Sequence, residues 1–217
     1  MDTLTTPLYS QSEVARILHK PQSTVARWMH GYTTTSGTVM PPLIDGVQEG
    51  RGYHVPFLSL AEAYVVGFLK DQGLRTRTIR DSVEAVRRRY GMEYALASQR
   101  LKTDGADIMW EEIEGDDSAD LSEVVHGQGV FRAALGDRLR TITYGPSYAH
   151  RLSIPVADDV LMNIDPHQSF GQPTLAGTGV RVSDVLGRLK AGEPPASIAY
   201  DYDLPEHTVQ VLQPLAA

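Results

Sequence analysis

The sequence predicts an α+β protein, mainly helical, with a larger N-terminal part and a small C-terminal module of three helices, and short strands between them. Two stretches near the N-terminus have the apolar spacing and polar caps of short helices, and a Gly- and Pro-rich stretch after them has the pattern of a β-hairpin. The charge also changes along the chain. Residues 1–103 hold 13 basic and 9 acidic residues, whereas residues 104–217 hold 7 and 18.

Composition narrows the class of protein. Of the 217 residues, 41% are hydrophobic, which is enough for a sizeable core, and cysteine is absent. The absence of cysteine excludes disulfides and thiolate metal sites and fits a reducing cytoplasm. The N-terminus lacks the basic start and apolar core of a signal peptide, and the longest apolar runs are too short to cross a bilayer. We therefore expect a soluble cytoplasmic protein that does not insert into a membrane.

The stretch from Tyr9 to Gly31 predicts a helix-turn-helix. Ser10 and Glu13 have the spacing of a capping box, and Pro21 fits the first turn of a second helix. The apolar positions of the two helices are Val14, Ile17 and Leu18, then Val25, Trp28 and Met29. Gly31 can end the second helix with a positive φ. The alternative is an ordinary helical hairpin in a bundle.

The polar face of the second helix carries the candidate DNA-binding residues Gln22, Ser23, Thr24 and Arg27. Gln and Arg can contact base edges with two hydrogen bonds, and Ser and Thr can contact bases or phosphates. They lie near the N-terminal end of the helix, which enters the major groove in this motif. The alternative is a solvated helix face.

A wing is predicted directly after the second helix. Runs around Val39–Ile44 and Tyr53–Phe57 have strand-like patterns, and the Gly-rich tip between them, Gly46–Gly52, carries Arg51. An Arg on a wing is placed for phosphate or minor-groove contact. This order of elements resembles the MerR-like winged-helix fold, which implies binding to double-stranded DNA. The overall acidity does not oppose that interpretation, because the charge of this part is positive.

The middle of the chain predicts two more helices, followed by a region with strand-like patterns. Ser59 and Glu62 repeat the capping-box spacing, and the helices over Leu60–Tyr90 offer an apolar face for a homodimer. For the run Arg87–Arg89, a solvated face near acids of the same protein is at least as favoured as phosphate contact. Residues 104–157, with a strand-like run at Ile108–Ile113, predict a β-rich connecting region.

Residues 158–217 predict a compact module of three helices. The first helix would be capped by Ser183 and end at Gly192, the second would open at Pro194 or Pro195, and the third at Pro205. The surface of the module is acidic, which makes it a poor candidate for DNA binding.

The same stretch resembles a small bacterial family, domain of unknown function 433. The resemblance rests on Asp165, Pro166, Gly171, Pro173, Gly177, Thr178, Arg181, Val182, Ala191, Gly192, Glu193, Ile198, Ala199, Asp201 and Tyr202. Together with the N-terminal domain, it is similar to the long VapB-type antitoxins of VapBC systems. That resemblance implies a DNA-binding domain at 1–103, an antitoxin-type module at 158–217, and a PIN-domain ribonuclease toxin as partner.

Under this resemblance, the acidic and apolar residues of the module become candidates for binding a cationic toxin. The acids would orient the encounter, and the apolar residues would provide an anchor. These candidate residues are Glu193, Asp201, Asp203, Leu204, Glu206, Val209 and Leu212.

Enzyme chemistry is not predicted. The histidines have no metal-binding spacing, and the glycines around Gly177 do not form a nucleotide-binding loop between a strand and a long helix. We therefore expect neither catalysis, nor a metal, nor a cofactor. The alternative function is a stand-alone MerR-like transcriptional regulator whose C-terminal module dimerises or senses a ligand.

Overall fold

The computed structural model describes residues 2–49, 52–115, 127–157 and 159–216. The chain divides into two compact units, Met1–His150 and Arg151–Ala217. Both are mainly helical and carry small antiparallel sheets, so the predicted α+β class is confirmed.

The first unit begins with the strands and helices of a winged helix-turn-helix. They are β1 (Pro7–Ser10), α1 (Gln11–Ile17), α2 (Gln22–His30), β2 (Tyr32–Thr33), β3 (Val39–Met40), β4 (Val47–Glu49) and β5 (Gly52–Pro56). Strands β1, β5 and β4 form one antiparallel sheet in that order, and β2 pairs with β3 as a separate hairpin.

The predicted wing is present, but its first strand was misplaced. The strand opposite β5 is Val47–Glu49, whereas Val39–Met40 pairs with Tyr32–Thr33. The reason is that Pro41 and Pro42 lack backbone N–H donors and separate the two hairpins. Arg51 lies outside the described residues.

The predicted start of α1 is confirmed. Ser10 Oγ accepts a hydrogen bond from the Glu13 N–H at 3.2 Å, and the Glu13 carboxylate accepts one from the Ser10 N–H at 2.7 Å. Pro21 is the cap of α2 rather than its first residue. Both positions suit proline, because neither needs its N–H inside the helix.

Two longer helices, α3 (Phe57–Asp71) and α4 (Thr76–Tyr90), form the core of the first unit. The predicted capping box at Ser59 is wrong, because α3 already starts at Phe57 and Glu62 is fully buried. Every residue of α3 from Phe57 to Leu69 is buried within the chain. Helix α3 therefore has no exposed apolar face of the kind expected for a dimer interface.

The strand-like run at Ile108–Ile113 is helical. It belongs to α5 (Ala106–Glu114), which follows a π-helical turn at Leu101–Gly105 and precedes α6 (Gln128–Arg140). The buried residues Met109, Trp110 and Ile113 recur at helical rather than strand spacing, and the Trp110 ring lies 5.8 Å from that of Phe131 on α6. Among the described residues of the predicted β-rich region 104–157, β6 (Ile142–Tyr144) and β7 (Ala149–Ala157) are strands, and the larger share is helical.

The second unit places a small sheet before a group of short helices. Its elements after β7 are β8 (Val160–Ile164), β9 (Thr174–Leu175), α7 (Val182–Lys190), α8 (Pro195–Tyr202), α9 (Glu206–Gln210) and α10 (Gln213–Ala216). Helix α7 is capped by Arg181, not by Ser183, whereas Pro194 caps α8 and Pro205 caps α9. The described helices are too short or too polar to span a membrane.

Candidate DNA-binding face and acidic module

Helix α2 is held in place by its apolar face and by its last turn. Val25, Trp28 and Met29 are buried, as predicted. The Trp28 carbonyl oxygen accepts hydrogen bonds from the backbone N–H groups of Leu43 and Ile44, at 2.7 and 3.1 Å. These bonds satisfy a carbonyl that a helix end leaves without a partner, and they tie the helix to the following loop.

The opposite face of α2 is free to meet a partner. Gln22, Ser23 and Arg27 are exposed, and Thr24 is half-buried. The Arg27 guanidinium lies 5.6 Å from the centre of the Tyr32 ring, which supports the side chain without neutralising its charge. No carboxylate among the described residues forms an ion pair with Arg27. The predicted DNA-binding residues on α2 thus share one accessible, cationic face.

The local charge around this face is more one-sided than the whole chain suggests. The sequence has no acidic residue from Val14 to Ile44, although the chain carries 27 Asp and Glu in total. Lys20 in this stretch pairs with Asp71 of α3, while Arg16 and Arg27 remain exposed. Two exposed arginines therefore set the charge of the helix-turn-helix surface.

In the run Arg87–Arg89, Arg87 is half-buried and binds groups of its own chain, whereas Arg88 and Arg89 are exposed. The Arg87 guanidinium lies 3.3 Å from the Glu62 carboxylate and also donates to the Leu43 carbonyl oxygen. Arg88 is 3.8 Å from Glu112. The pairs of Arg87 and Arg88 agree with the solvated-face interpretation, in which arginines of this run meet acids of their own chain.

Glu62 is a fully buried acid in the first unit. Burial raises its pKa from 4.5 to about 7, although the charge of Arg87 and a hydrogen bond from the Leu96 N–H oppose the shift. That bond is 3.0 Å long. Through Arg87 and Leu43, the carboxylate is linked to the loop that supports the end of α2.

In the second unit, Arg188 binds two of the acids predicted to meet a toxin. Its Nε donates to Glu193 at 2.9 Å, and its Nη2 donates to Asp201 at 2.6 Å. The hydrogen bond from Arg188 lowers the pKa of Glu193, and the two acids raise the pKa of Arg188. Asp203 and Glu206 are exposed, and Glu206 accepts a hydrogen bond from Gln210.

The predicted apolar anchor of the toxin contact lies in the interior of the module. Leu204, Val209 and Leu212 are buried, because the short helices need them to hold their own core. The exposed apolar side chains lie elsewhere in the module. Phe170 and Tyr200 are 82% and 87% exposed.

Phe170 was not predicted from the sequence, because its exposure depends on an unusual backbone conformation. Ser169, Phe170 and Gly171 have φ values of 49°, 55° and 75° in succession. Two adjacent non-glycine residues in this region are costly, and such strain tends to persist at functional positions. The only sequence signal is an aromatic residue directly before a glycine in a loop.

Comparison with known proteins matches both ends of the chain. Residues 7–83 match the family HTH_66, described as "Putative DNA-binding HTH domain", and residues 162–212 match DUF433, described as "Protein of unknown function". The protein "Putative antitoxin VapB45" of Mycobacterium tuberculosis (strain ATCC 25618 / H37Rv) is 33% identical over 97% of this chain and 95% of its own length.

A solved structure gives the same picture of the fold. The crystal structure of Rv2018 from Mycobacterium tuberculosis superimposes with a TM-score of 0.74 at 29% identity, over 95% of this chain and 97% of that one. Two findings assign the chain to a family: the two matched domains, and the similarity to one relative over nearly the whole length of both chains. The chain belongs to the long VapB-type antitoxins, with a helix-turn-helix domain at the N-terminus and a DUF433 domain at the C-terminus.

Proposed function

We propose that the protein is the antitoxin of a type II, VapBC-like toxin–antitoxin system. It binds and neutralises a PIN-domain ribonuclease toxin, and it represses its own operon by binding operator DNA as a cytoplasmic homodimer. It has no catalytic role of its own. The observation that carries the proposal is the exposed face of α2, free of acidic partners among the described residues, in a chain that is similar over nearly its whole length to a named antitoxin.

Each residue of the DNA-binding face has a role in this proposal. Gln22 and Arg27 read base edges in the major groove, while Ser23 and Thr24 contact bases or phosphates near the start of α2. Arg51, which stands between β4 and β5 in the sequence, contacts phosphate or the minor groove. Residues 1–103 form the DNA-binding domain.

Homodimerisation follows from the size of the site that one copy can read. A single helix-turn-helix contacts one half-site, and a two-fold symmetric pair gains affinity from two half-sites one helical turn apart. Because the apolar faces of α3 and most of α4 are used within the chain, the dimer contact is not assigned to those helices.

The toxin is bound by the module at residues 158–217. The apolar contact is made by the exposed rings of Phe170 and Tyr200 rather than by the buried Leu204, Val209 and Leu212, because aromatic side chains are enriched in protein interfaces. The exposed carboxylates of Asp203 and Glu206 attract a cationic RNA-cleaving surface and speed the encounter. Glu193 and Asp201 contribute less, because Arg188 pairs with both and offsets one of their two charges.

The test is co-expression with the neighbouring reading frame, which the proposal expects to encode a PIN-domain protein. We expect both products to co-purify, growth to be rescued, and the complex to shift the duplex upstream of the operon. Replacing both Phe170 and Tyr200 by Ala should abolish rescue but leave the gel shift intact. Val130→Ala, at another exposed apolar position on α6, is the matched control and should behave as wild type.

Arg27→Ala separates the two activities in the other direction. It should weaken operator binding by about 1–3 kcal/mol, the value of a lost base contact, and leave rescue intact. DNA binding without any toxin capture would instead support the stand-alone regulator.

A further inference from the structure

A short hairpin follows α2 and stands outside the wing. Strands β2 and β3 pair Tyr32 with Met40 and Thr33 with Val39. The turn between them is closed by hydrogen bonds from the Thr34 N–H to the Thr38 carbonyl oxygen at 2.8 Å and from the Gly37 N–H to the Thr34 carbonyl oxygen at 2.9 Å. The hairpin is therefore an ordered element, not a loose connection.

The outer surface of this hairpin is rich in hydroxyl groups. Its exposed residues are Thr33, Thr35, Ser36, Gly37, Thr38 and Val39. Val39 is 73% exposed. Hydroxyl groups are common donors to phosphate oxygens in protein–DNA interfaces.

The position of the hairpin is fixed by the DNA-binding helix. Gly31, between α2 and β2, has a φ of 68°, and a Cβ at this residue would lie 2.1 Å from the Met40 carbonyl oxygen. The Tyr32 ring packs beneath the Arg27 guanidinium. The hairpin is therefore held against the end of α2 and keeps a fixed position relative to that helix.

The charge of the segment fits a polyanion. The acid-free stretch from Val14 to Ile44 includes the whole hairpin, and Arg16 and Arg27 on the two helices are exposed. A merely solvated turn has no reason to avoid carboxylates over this length in a chain with a net charge of -7. Avoidance of carboxylates is expected of a surface that approaches phosphates.

From these observations we propose that the β2–β3 hairpin is a second DNA-contacting element, which lies on the phosphate backbone beside the groove entered by α2. The inference rests on the proposed DNA-binding function. The hydroxyls of Thr35 and Ser36 donate to phosphate oxygens, and Val39 contacts the sugar edge. The hairpin adds affinity and orientation but no sequence preference.

The experiment places opposite charges at one exposed position of the full-length protein. Thr35→Glu and Thr35→Lys are titrated against the duplex upstream of the operon and against a duplex of scrambled sequence, from 50 to 200 mM salt. Thr35→Lys should steepen the salt dependence by about one phosphate, roughly a three- to fourfold larger loss of affinity across that range. Thr35→Glu should weaken binding to both duplexes, most strongly at low salt.

Ala133→Glu and Ala133→Lys, on the exposed side of α6, make the same changes in net charge and should bind as wild type. Wild-type salt dependence in both Thr35 variants, with Arg27→Ala still impaired, would overturn the hairpin inference and leave the DNA-binding proposal standing. No binding by the wild type to either duplex at low salt would overturn both.

Discussion

The face of α2 and the acidic end of the C-terminal module use their charges in opposite ways. Arg27 is exposed without an acidic partner among the described residues, and its helix is held by apolar contacts and backbone hydrogen bonds. In the module, Arg188 binds both Glu193 and Asp201, so the charges that stand out in the sequence are partly neutralised within the fold.

The difference shows that counting charged residues overstates what a surface can offer a partner. A charge already paired inside its own chain adds little to attraction at a distance, whereas an unpaired charge keeps its full field until salt screens it. The basic surplus of residues 1–103 is reduced in the same way by the pairs that Arg87 and Lys20 form. What distinguishes the proposed DNA-binding face is that the stretch of sequence that forms it contains no acidic residue.

The variant with the largest expected effect tests whether the buried apolar residues of the C-terminal module stabilise its fold. Leu212→Ala should lower the free energy of unfolding of the module by about 2–5 kcal/mol, because it leaves a cavity in a buried core. Tyr200→Ala, at an 87% exposed position, should change it by less than about 0.5 kcal/mol. Urea denaturation measures both. Equal stability of the two variants would restore Leu212 as a candidate for partner contact.

In the other region compared, the link between α2 and the hairpin after it depends on Gly31. Gly31→Ala should cost about 2–4 kcal/mol, because the left-handed backbone is strained by a side chain and the new methyl would overlap the Met40 carbonyl oxygen. Gly37→Ala is the control, since Gly37 also has a positive φ, but a methyl added there would meet no atom of the described residues within 4 Å. It should cost about 1 kcal/mol. Thermal and urea unfolding of the two variants separate the effect of the overlap with Met40 from that of backbone strain alone. If both variants lost the same free energy of unfolding, the close contact between Gly31 and Met40 would not fix the position of the hairpin.

Much of the helix-turn-helix could be predicted because its signals are local. The capping box at Ser10, the apolar spacing of α2 and the glycine that ends it depend on residues within a few positions of one another. The class of each unit and the exposed face of α2 followed from such patterns.

The predictions were wrong where contacts between residues far apart in the sequence determine the local structure. Glu62 has the spacing of a cap but is buried, because the chain already turns into the helix at Phe57. The run at Ile108 alternates too little to separate strand from helix, and packing of Trp110 against Phe131 stabilises the helix. Leu204 and Leu212 were assigned to a surface because a short helix pattern does not say which side faces its own core. The left-handed backbone at Phe170 is indicated in the sequence by no more than the glycine that follows it, which is too weak a signal to predict it.

Glu62 differs from both the unpaired Arg27 and the paired acids of the module, because it is an ionisable group buried in the core. Its raised pKa leads us to expect that stability depends on pH. Its folded pKa of about 7 lies above its ordinary value of 4.5, so the folded state binds the proton more tightly than the unfolded state. This contribution to stability is fully present below pH 4.5 and is lost as the pH rises through 7. The loss is on the order of 3 kcal/mol at most, given the size of the shift.

Glu62→Gln provides the reference for that measurement. Subtracting the pH dependence of its unfolding free energy from that of the wild type removes the titration of the other groups. We expect the difference curve to fall between pH 4.5 and 7. Parallel curves for the two proteins would show that the carboxyl does not change its proton affinity on folding.

The smallest expected effect concerns the acids that Arg188 neutralises. In the wild type, the hydrogen bond from Arg188 holds the pKa of Glu193 below its ordinary value. Arg188→Gln should return that pKa to the ordinary range, which NMR titration of the Glu193 carboxyl can follow. Lys190→Gln removes one positive charge from the same helix without touching Glu193 and should leave its pKa in place. A lowered pKa that survives Arg188→Gln would mean that the charge of the module is not neutralised by this pair, and Glu193 and Asp201 would again be available to attract a cationic toxin.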